Sequence, residues 1–290
     1  MFEMIIIQGL ITGGLYSILS VGFALAFGTA RILNLSHTSF YMCAAFFLFI
    51  CTTILKLPFL LSCFAVIPAV SILGMICYKV FLDRIKEHEI AVLIITTGIA
   101  LLFQEVFLLG FHGHYRSIPP IISGFTQFLN FRITFQQIFA IIGCFVTIIG
   151  IWILLSYTKM GIAIRAVSQN KEAANLMGIN VNRICMITIG ISIGIAGIAA
   201  VAVAPIYVVH PLMWVHLLIV VLAAVVLGGL GSIRGVIIAS FILGFAESIV
   251  VFLVPGGGFL KGAFSLIVMV IVLLLKPEGL FGVVFEEERL

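Results

Sequence analysis

Charge is what this sequence has least of. Fifteen basic and eleven acidic residues make up 9% of its 290 positions, against about 25% in a soluble domain. A water-soluble globule of this size cannot cover its surface with so few charges. A soluble enzyme, a disordered tail and a nucleic-acid binder are therefore excluded. Other absences narrow the field further. The dipeptide Gly-Lys does not occur, so there is no Walker-type phosphate loop, whose lysine must follow a glycine. If ATP powers this chain, another polypeptide binds it. The six cysteines, Cys43, Cys51, Cys63, Cys77, Cys144 and Cys185, form no CxxC pair and lie in or at the ends of apolar runs. They read as small packing residues. The histidines are scattered without ligand spacing.

What is present is apolar: 63% of the chain by the broad count. Residues 4–30, 32–55, 57–78, 133–158 and 184–233 carry no Asp, Glu, Lys or Arg. A bilayer core of ~30 Å needs ~20 apolar helical residues. The runs do not alternate with period two, which disfavours a β-barrel. Backbone groups in hydrocarbon must then be satisfied within helices. The spacing predicts spans at roughly 4–27, 38–55, 57–78, 90–111, 134–157, 186–208, 216–230, 235–254 and 259–275. That makes nine, or eight if the short seventh is discounted. The first run, opening Met-Phe-Glu with no basic flank, reads as a span rather than a removable signal.

Lysine and arginine set the orientation. With the N-terminus outside and the C-terminus cytoplasmic, eleven basic residues lie inside (Arg31, Lys79, Arg84, Lys86, Lys159, Arg165, Lys171, Arg183, Arg234, Lys276 and Arg289). Four lie outside: Lys56, Arg116, Arg132 and Lys261. The net charge of +4 is thus mostly an orientation signal.

The connection 159–183 is long for a loop without structure, and it has helical grammar. Asn170 can cap a helix start, and Glu172 suits the first turn. Ala173, Ala174, Leu176 and Met177 supply an apolar face, and Gly178 a left-handed stop. So short a helix needs something to pack against. It either lies on the headgroups or docks into a groove on a cytoplasmic partner.

Two acids fall inside spans, where charge is costly and turns inward: Glu247 near the middle of 235–254, and Glu105 in the outer part of 90–111. Each either faces a pathway or is a structural glutamate bonded to neighbouring helices. The segment 31–39, with Asn34, Ser36 and His37, puts polar groups beside the membrane. Gly228, Gly229 and Gly231 make a second break. Each is either a cavity-lining interruption of the kind transporters use or an ordinary tight turn.

The block Arg165-Ala-Val-Ser-Gln-Asn-Lys-Glu-Ala-Ala-Asn-Leu-Met-Gly-Ile-Asn180 resembles the coupling segment of ABC-importer permeases. More specifically, it is similar to the high-affinity branched-chain amino acid permeases of the Liv type. Four other blocks agree in order: Gly9 to Met42, Ala204-Pro205-Ile206-Tyr207, Leu227 to Ser232 followed by Gly244…Ala246-Glu247-Ser248, and Lys276 to Gly282. The chain departs from the family pattern at Thr38, where glycine is common, and at Ser232-Ile233-Arg234, where the turn usually continues with proline.

The resemblance implies an all-α polytopic bundle of eight or nine helices, like a type II ABC importer. Residues 1–290 would be one transmembrane permease domain in the inner (cytoplasmic) membrane. Such a chain is not an enzyme and holds no cofactor. Its partners would be a second related permease, two ATP-binding cassette ATPases, an extracytoplasmic binding protein and the surrounding lipid. Arg165, Glu172, Ala173, Ala174, Leu176, Met177 and Gly178 would couple it to the ATPases. By the residue reading above, Asn34, Ser36, His37, Glu247, Gly228, Gly229 and Gly231 are the candidates to line or gate the path. The cargo would be leucine, isoleucine and valine, or else urea or short amides. A carrier driven by an ion gradient through Glu247 or Glu105 is the competing class, and it has no use for a coupling helix.

Overall fold

A computed structural model describes residues 2–122, 124–128, 131–229, 231–276 and 279–281. The chain runs α1 (Phe2–Ala30), α2 (His37–Phe49), α3 (Phe59–Cys77), α4 (Glu89–Phe111), β1 (Phe125–Phe128), β2 (Phe131–Thr134) and α5 (Phe135–Tyr157). It continues with α6 (Lys159–Gln169), α7 (Lys171–Leu176), α8 (Val181–Val203), α9 (Met213–Gly228), α10 (Ile233–Leu253) and α11 (Lys261–Leu275). α2 and α3 each widen into a π-helical turn, at Ile50–Ile54 and Tyr78–Leu82.

Seven helices are long and apolar enough to cross a membrane, and α9 and α11 are shorter apolar helices. Each predicted span has its helix. The predicted positions at Leu230, Pro277, Glu278, Gly282 and Arg289 lie outside the described residues.

α1 is apolar on all sides and buried on nearly all of them, as a central helix must be. It packs on α5, α8, α9 and α10. Its closest approach is to α10, where a Cβ on Gly244 would run into the Gly13 backbone. Small residues let helix backbones meet in this way. α3, α4 and α5 form the periphery, with large apolar side chains such as Phe64, Ile94 and Val146 facing outward.

One end of the bundle gathers the basic residues. Lys171 Nζ donates to Ala30 O at 2.8 Å, at the C-terminus of α1. There a cation meets unpaired carbonyls and the negative end of the helix dipole. Lys86 Nζ donates to Asn182 Oδ1 at 2.8 Å. Burial pushes the Lys171 ammonium below its ordinary value, and Arg31 and Lys86 lower it further.

At the opposite end the α4–α5 connection is tied to the α8–α9 connection. Arg116 and Val209 exchange backbone bonds of 2.9 and 2.8 Å. β1 and β2 form an antiparallel hairpin there, with Phe125 opposite Thr134. No apolar run announces this hairpin, and the sequence reading missed it. A capping box of Thr134 and Gln137 then starts α5.

Candidate functional site

The 159–183 connection holds two helices where the sequence suggested one. The missed helix, α6, buries Gly161, Ile164 and Val167 against the bundle. Thr158 caps it by accepting from the Gly161 N–H at 3.0 Å. α7 is the anticipated one. Asn170 Oδ1 accepts from the Ala173 N–H at 2.9 Å, and Gly178 sits at φ 82°. The anticipated apolar face is split, however. Ala174 is buried toward the bundle, while Leu176 and Met177 are 88% and 83% exposed. Ala173 and Glu172 are exposed beside them. An open hollow of about 590 Å³ adjoins α7, with Lys171, Glu172, Asn175 and Asn182 on its walls. The segment is thus fixed on one face and bare on the other. Arg165 is also exposed, but it lines a different cavity, between α1, α5, α6 and α10.

The chain after Arg31 folds into the bundle. His37 is fully buried, and its Nε2 is 3.1 Å from Leu19 O. Leu19 is eleven residues from the end of α1, about 16 Å along the helix. The chain therefore turns back into the bundle after Ala30, and α2 starts at mid-depth. The polar side chains at this start bond within the chain. Asn34 Oδ1 accepts from Ser36 N at 3.1 Å and Ser36 Oγ at 2.6 Å. Ser39 Oγ donates to Ser36 O at 2.7 Å, and Thr38 Oγ1 to Trp214 O at 3.0 Å. Ser192 Oγ donates to Gly22 O at 2.6 Å and stands 3.4 Å from His37 Nδ1. A Cβ at Gly22 would crowd both Ser192 O and the His37 ring. Asn34, Ser36 and His37 line none of the three cavities described here.

α9 starts at mid-depth too, because Tyr16, halfway along α1, reaches it. Tyr16 Oη lies 3.3 Å from His216 Nε2 and donates to Glu247 Oε2 at 2.6 Å. Ser265 Oγ donates to Glu247 Oε1 at 2.5 Å, and His216 Nε2 is 3.9 Å from that oxygen. Glu247, 1% exposed, thus ties together α1, α9, α10 and α11. Above it a cavity of about 360 Å³ opens between α1, α2 and the 204–212 connection, edged by Tyr41, Tyr207 and His210. Burial pushes the Tyr207 phenol up to about 12, although Gln8 and Thr12 bond to it. The sequence reading found Glu247 but missed Tyr16, Ser265 and His216 as its partners. Glu105 differs: it is exposed on α4, with Gln104 Nε2 donating to it at 3.2 Å.

The glycine break closes α9. Gly229 and Gly231 stand at φ 96° and 92°, which glycine adopts at little cost. A Cβ on Gly228 would meet Val236 N at 2.5 Å, so α9 and α10 touch there through backbone. Leu280 N donates to Leu227 O at 2.7 Å and Phe281 N to Gly228 O at 3.2 Å. The end of the described chain thereby satisfies the last carbonyls of α9.

This arrangement has relatives. Residues 5–274 match the family described as the permease component of the branched-chain amino acid transport system. The chain belongs to that family. It is 27% identical to the high-affinity branched-chain amino acid transport system permease BraD of Pseudomonas aeruginosa, covering 96% of this chain and 94% of BraD. It is 30% identical to a probable branched-chain amino acid transport permease, LivH, of Methanocaldococcus jannaschii, covering 97% and 93%. The Escherichia coli LivH is 25% identical over 95% of this chain and 94% of its own. Among solved structures, PsaBC from Streptococcus pneumoniae in complex with Fab superposes with a TM-score of 0.52 and 15% identity, over 93% of this chain and 91% of that one. That likeness shows the fold. The permease family accounts for a membrane bundle of apolar helices. In this member, Thr38 supplies the hydroxyl that bonds α9.

Proposed function

We propose that this chain is the translocating subunit of an ATP-driven importer of branched-chain amino acids in the cytoplasmic membrane. Its N-terminus lies outside and its C-terminus inside. It acts with a second related permease, two ATPase subunits and an extracytoplasmic binding protein. The observation that carries the reading is α7. A six-residue helix that leaves Leu176 and Met177 almost fully exposed is stable only with support from outside itself. It projects from the end where Arg31, Lys86 and Lys171 gather, the side that faces the cytoplasm.

ATP binding closes the ATPases, and their grooves carry α7 with them. α6, packed against α1, α5 and α8, passes the motion into the bundle. Arg165 and Gly178 set the bounds of this lever. Asn34, Ser36, His37 and Glu247 hold α1, α2, α8, α9 and α10 as the body that moves. Gly228, Gly229 and Gly231 form the joint between α9 and α10. The chain contributes no catalysis and binds no cofactor.

The test is uptake into proteoliposomes containing the assembled transporter. Labelled leucine accumulates only with ATP and binding protein, and labelled urea does not. Leucine uptake by this chain alone, without ATP, would overturn the proposal in favour of a carrier. Uptake of urea in place of leucine would overturn the cargo.

A further inference from the structure

The cavity between α1, α5, α6 and α10, about 750 Å³, combines two chemistries. Its mouth carries three arginines from three parts of the chain: Arg31 after α1, Arg165 on α6 and Arg234 at the start of α10. The Arg31 guanidinium donates to Ser168 O at 3.4 Å, which pulls it toward α6. Among the described residues, neither Arg165 nor Arg234 has a carboxylate within salt-bridge reach. Below the arginines the wall is apolar and continues along the spans, through Leu25 of α1, Ile148 and Ile151 of α5 and Ile237 of α10. Trp152, 52% exposed, stands at the rim, the depth at which indole rings favour the membrane interface.

We infer that this groove is a binding site for one anionic phospholipid. The phosphate sits between the Arg165 and Arg234 guanidiniums, and an acyl chain lies along the α1–α5 wall. A soluble phosphate would satisfy the arginines but leave the apolar wall bare. A neutral lipid would cover the wall but bring no net charge to Arg165 and Arg234. Guanidinium is the side chain best shaped to grip phosphate oxygens, and basic pockets between spanning helices select anionic headgroups. Arg165 lies in the coupling segment and Arg31 bonds to Ser168 within it, so an occupied site braces α6 against α1. The inference needs only that these helices span a membrane. It stands or falls separately from the cargo and the ATPases.

The chain has two tryptophans, Trp152 and Trp214, which makes the site readable by fluorescence. The full chain is placed in nanodiscs of phosphatidylcholine. Increasing fractions of phosphatidylglycerol or phosphatidylcholine with brominated acyl chains are added, and Trp152→Phe identifies the Trp152 signal. Brominated phosphatidylglycerol is expected to quench Trp152 at a mole fraction on the order of fivefold lower than brominated phosphatidylcholine, as expected of basic residues at an anionic surface. In Arg165→Gln/Arg234→Gln the two lipids are expected to give the same curve, with Trp152 still quenched, which shows the groove intact. If the double variant does not fold, Arg234→Gln alone must reduce the preference. Equal quenching by the two lipids in the unaltered chain would overturn the inference. So would a preference that survives both substitutions, or a Trp152 that neither lipid quenches because protein covers the groove.

Discussion

The 31–36 break and the 159–183 connection make an instructive pair. Both interrupt apolar spans, both are polar in sequence, and both emerge from the same end of the bundle. The first folds inward and closes its account internally. Asn34, Ser36, His37, Thr38 and Ser39 each find a partner on this chain. The second folds outward. It uses Asn170 to build a helix and then turns Leu176 and Met177 to solvent. Self-sufficiency marks the part that gives the bundle its shape. On the proposed reading, the apolar face left bare marks the part whose complement is another molecule.

Substitutions should separate the two regions by what they damage. The largest effect is expected from Leu176→Asp/Met177→Asp. Together the aspartates remove about 4 kcal/mol of docking energy if each apolar residue anchors the interface. ATP-driven leucine uptake should vanish while the thermal midpoint of the purified chain stays put. His37→Ala should do the reverse. Its loss empties a packed site and removes the bond between the ring and the Leu19 carbonyl, at about 2 kcal/mol. The thermal midpoint should fall, while uptake per folded transporter is retained. A midpoint lowered by the first variant, or unmoved by the second, would break the comparison.

Smaller effects sharpen it. Asn170→Ala removes the α7 cap and should cost about 1 kcal/mol of local helix stability, read as lower uptake at unchanged expression. Asn170→Ser should restore most of it. At the opposite end, burial holds the His210 imidazole below its ordinary value of 6.5. As pH falls through that value the unfolded chain takes up this proton first. The stability tied to His210 is therefore complete above it and is lost as the pH drops. His210→Gln should flatten the decline in thermal midpoint between about pH 7 and pH 5.

Much of this architecture can be read from the sequence, for physical reasons. Apolar runs without charge report spans because hydrocarbon tolerates little else, so each predicted run coincides with a helix. Asn170, Glu172 and Gly178 report α7 because caps are local. The inward path of 31–36 was hidden because a polar run between two spans reads the same at the surface as at mid-depth. Only the long-range contact of His37 with Leu19 fixes where it lies. α6 was hidden because its apolar residues do not keep to one face: Gly161, Ile164 and Val167 turn inward, while Ile162 between them is exposed. Glu247 stood out by its cost, but Tyr16 is 231 positions away, and nothing local links them.

The central claim is that the bare face of α7 is where the ATPases attach. The most direct measurement places a photoactivatable cross-linking residue at position 177 in the assembled transporter, with the same residue at position 54, at the far end of the bundle, as control. The account predicts a covalent product between position 177 and an ATPase subunit, and none from position 54. An ATPase product from position 54, or none from position 177 in a transporter that still couples ATP to uptake, would contradict it.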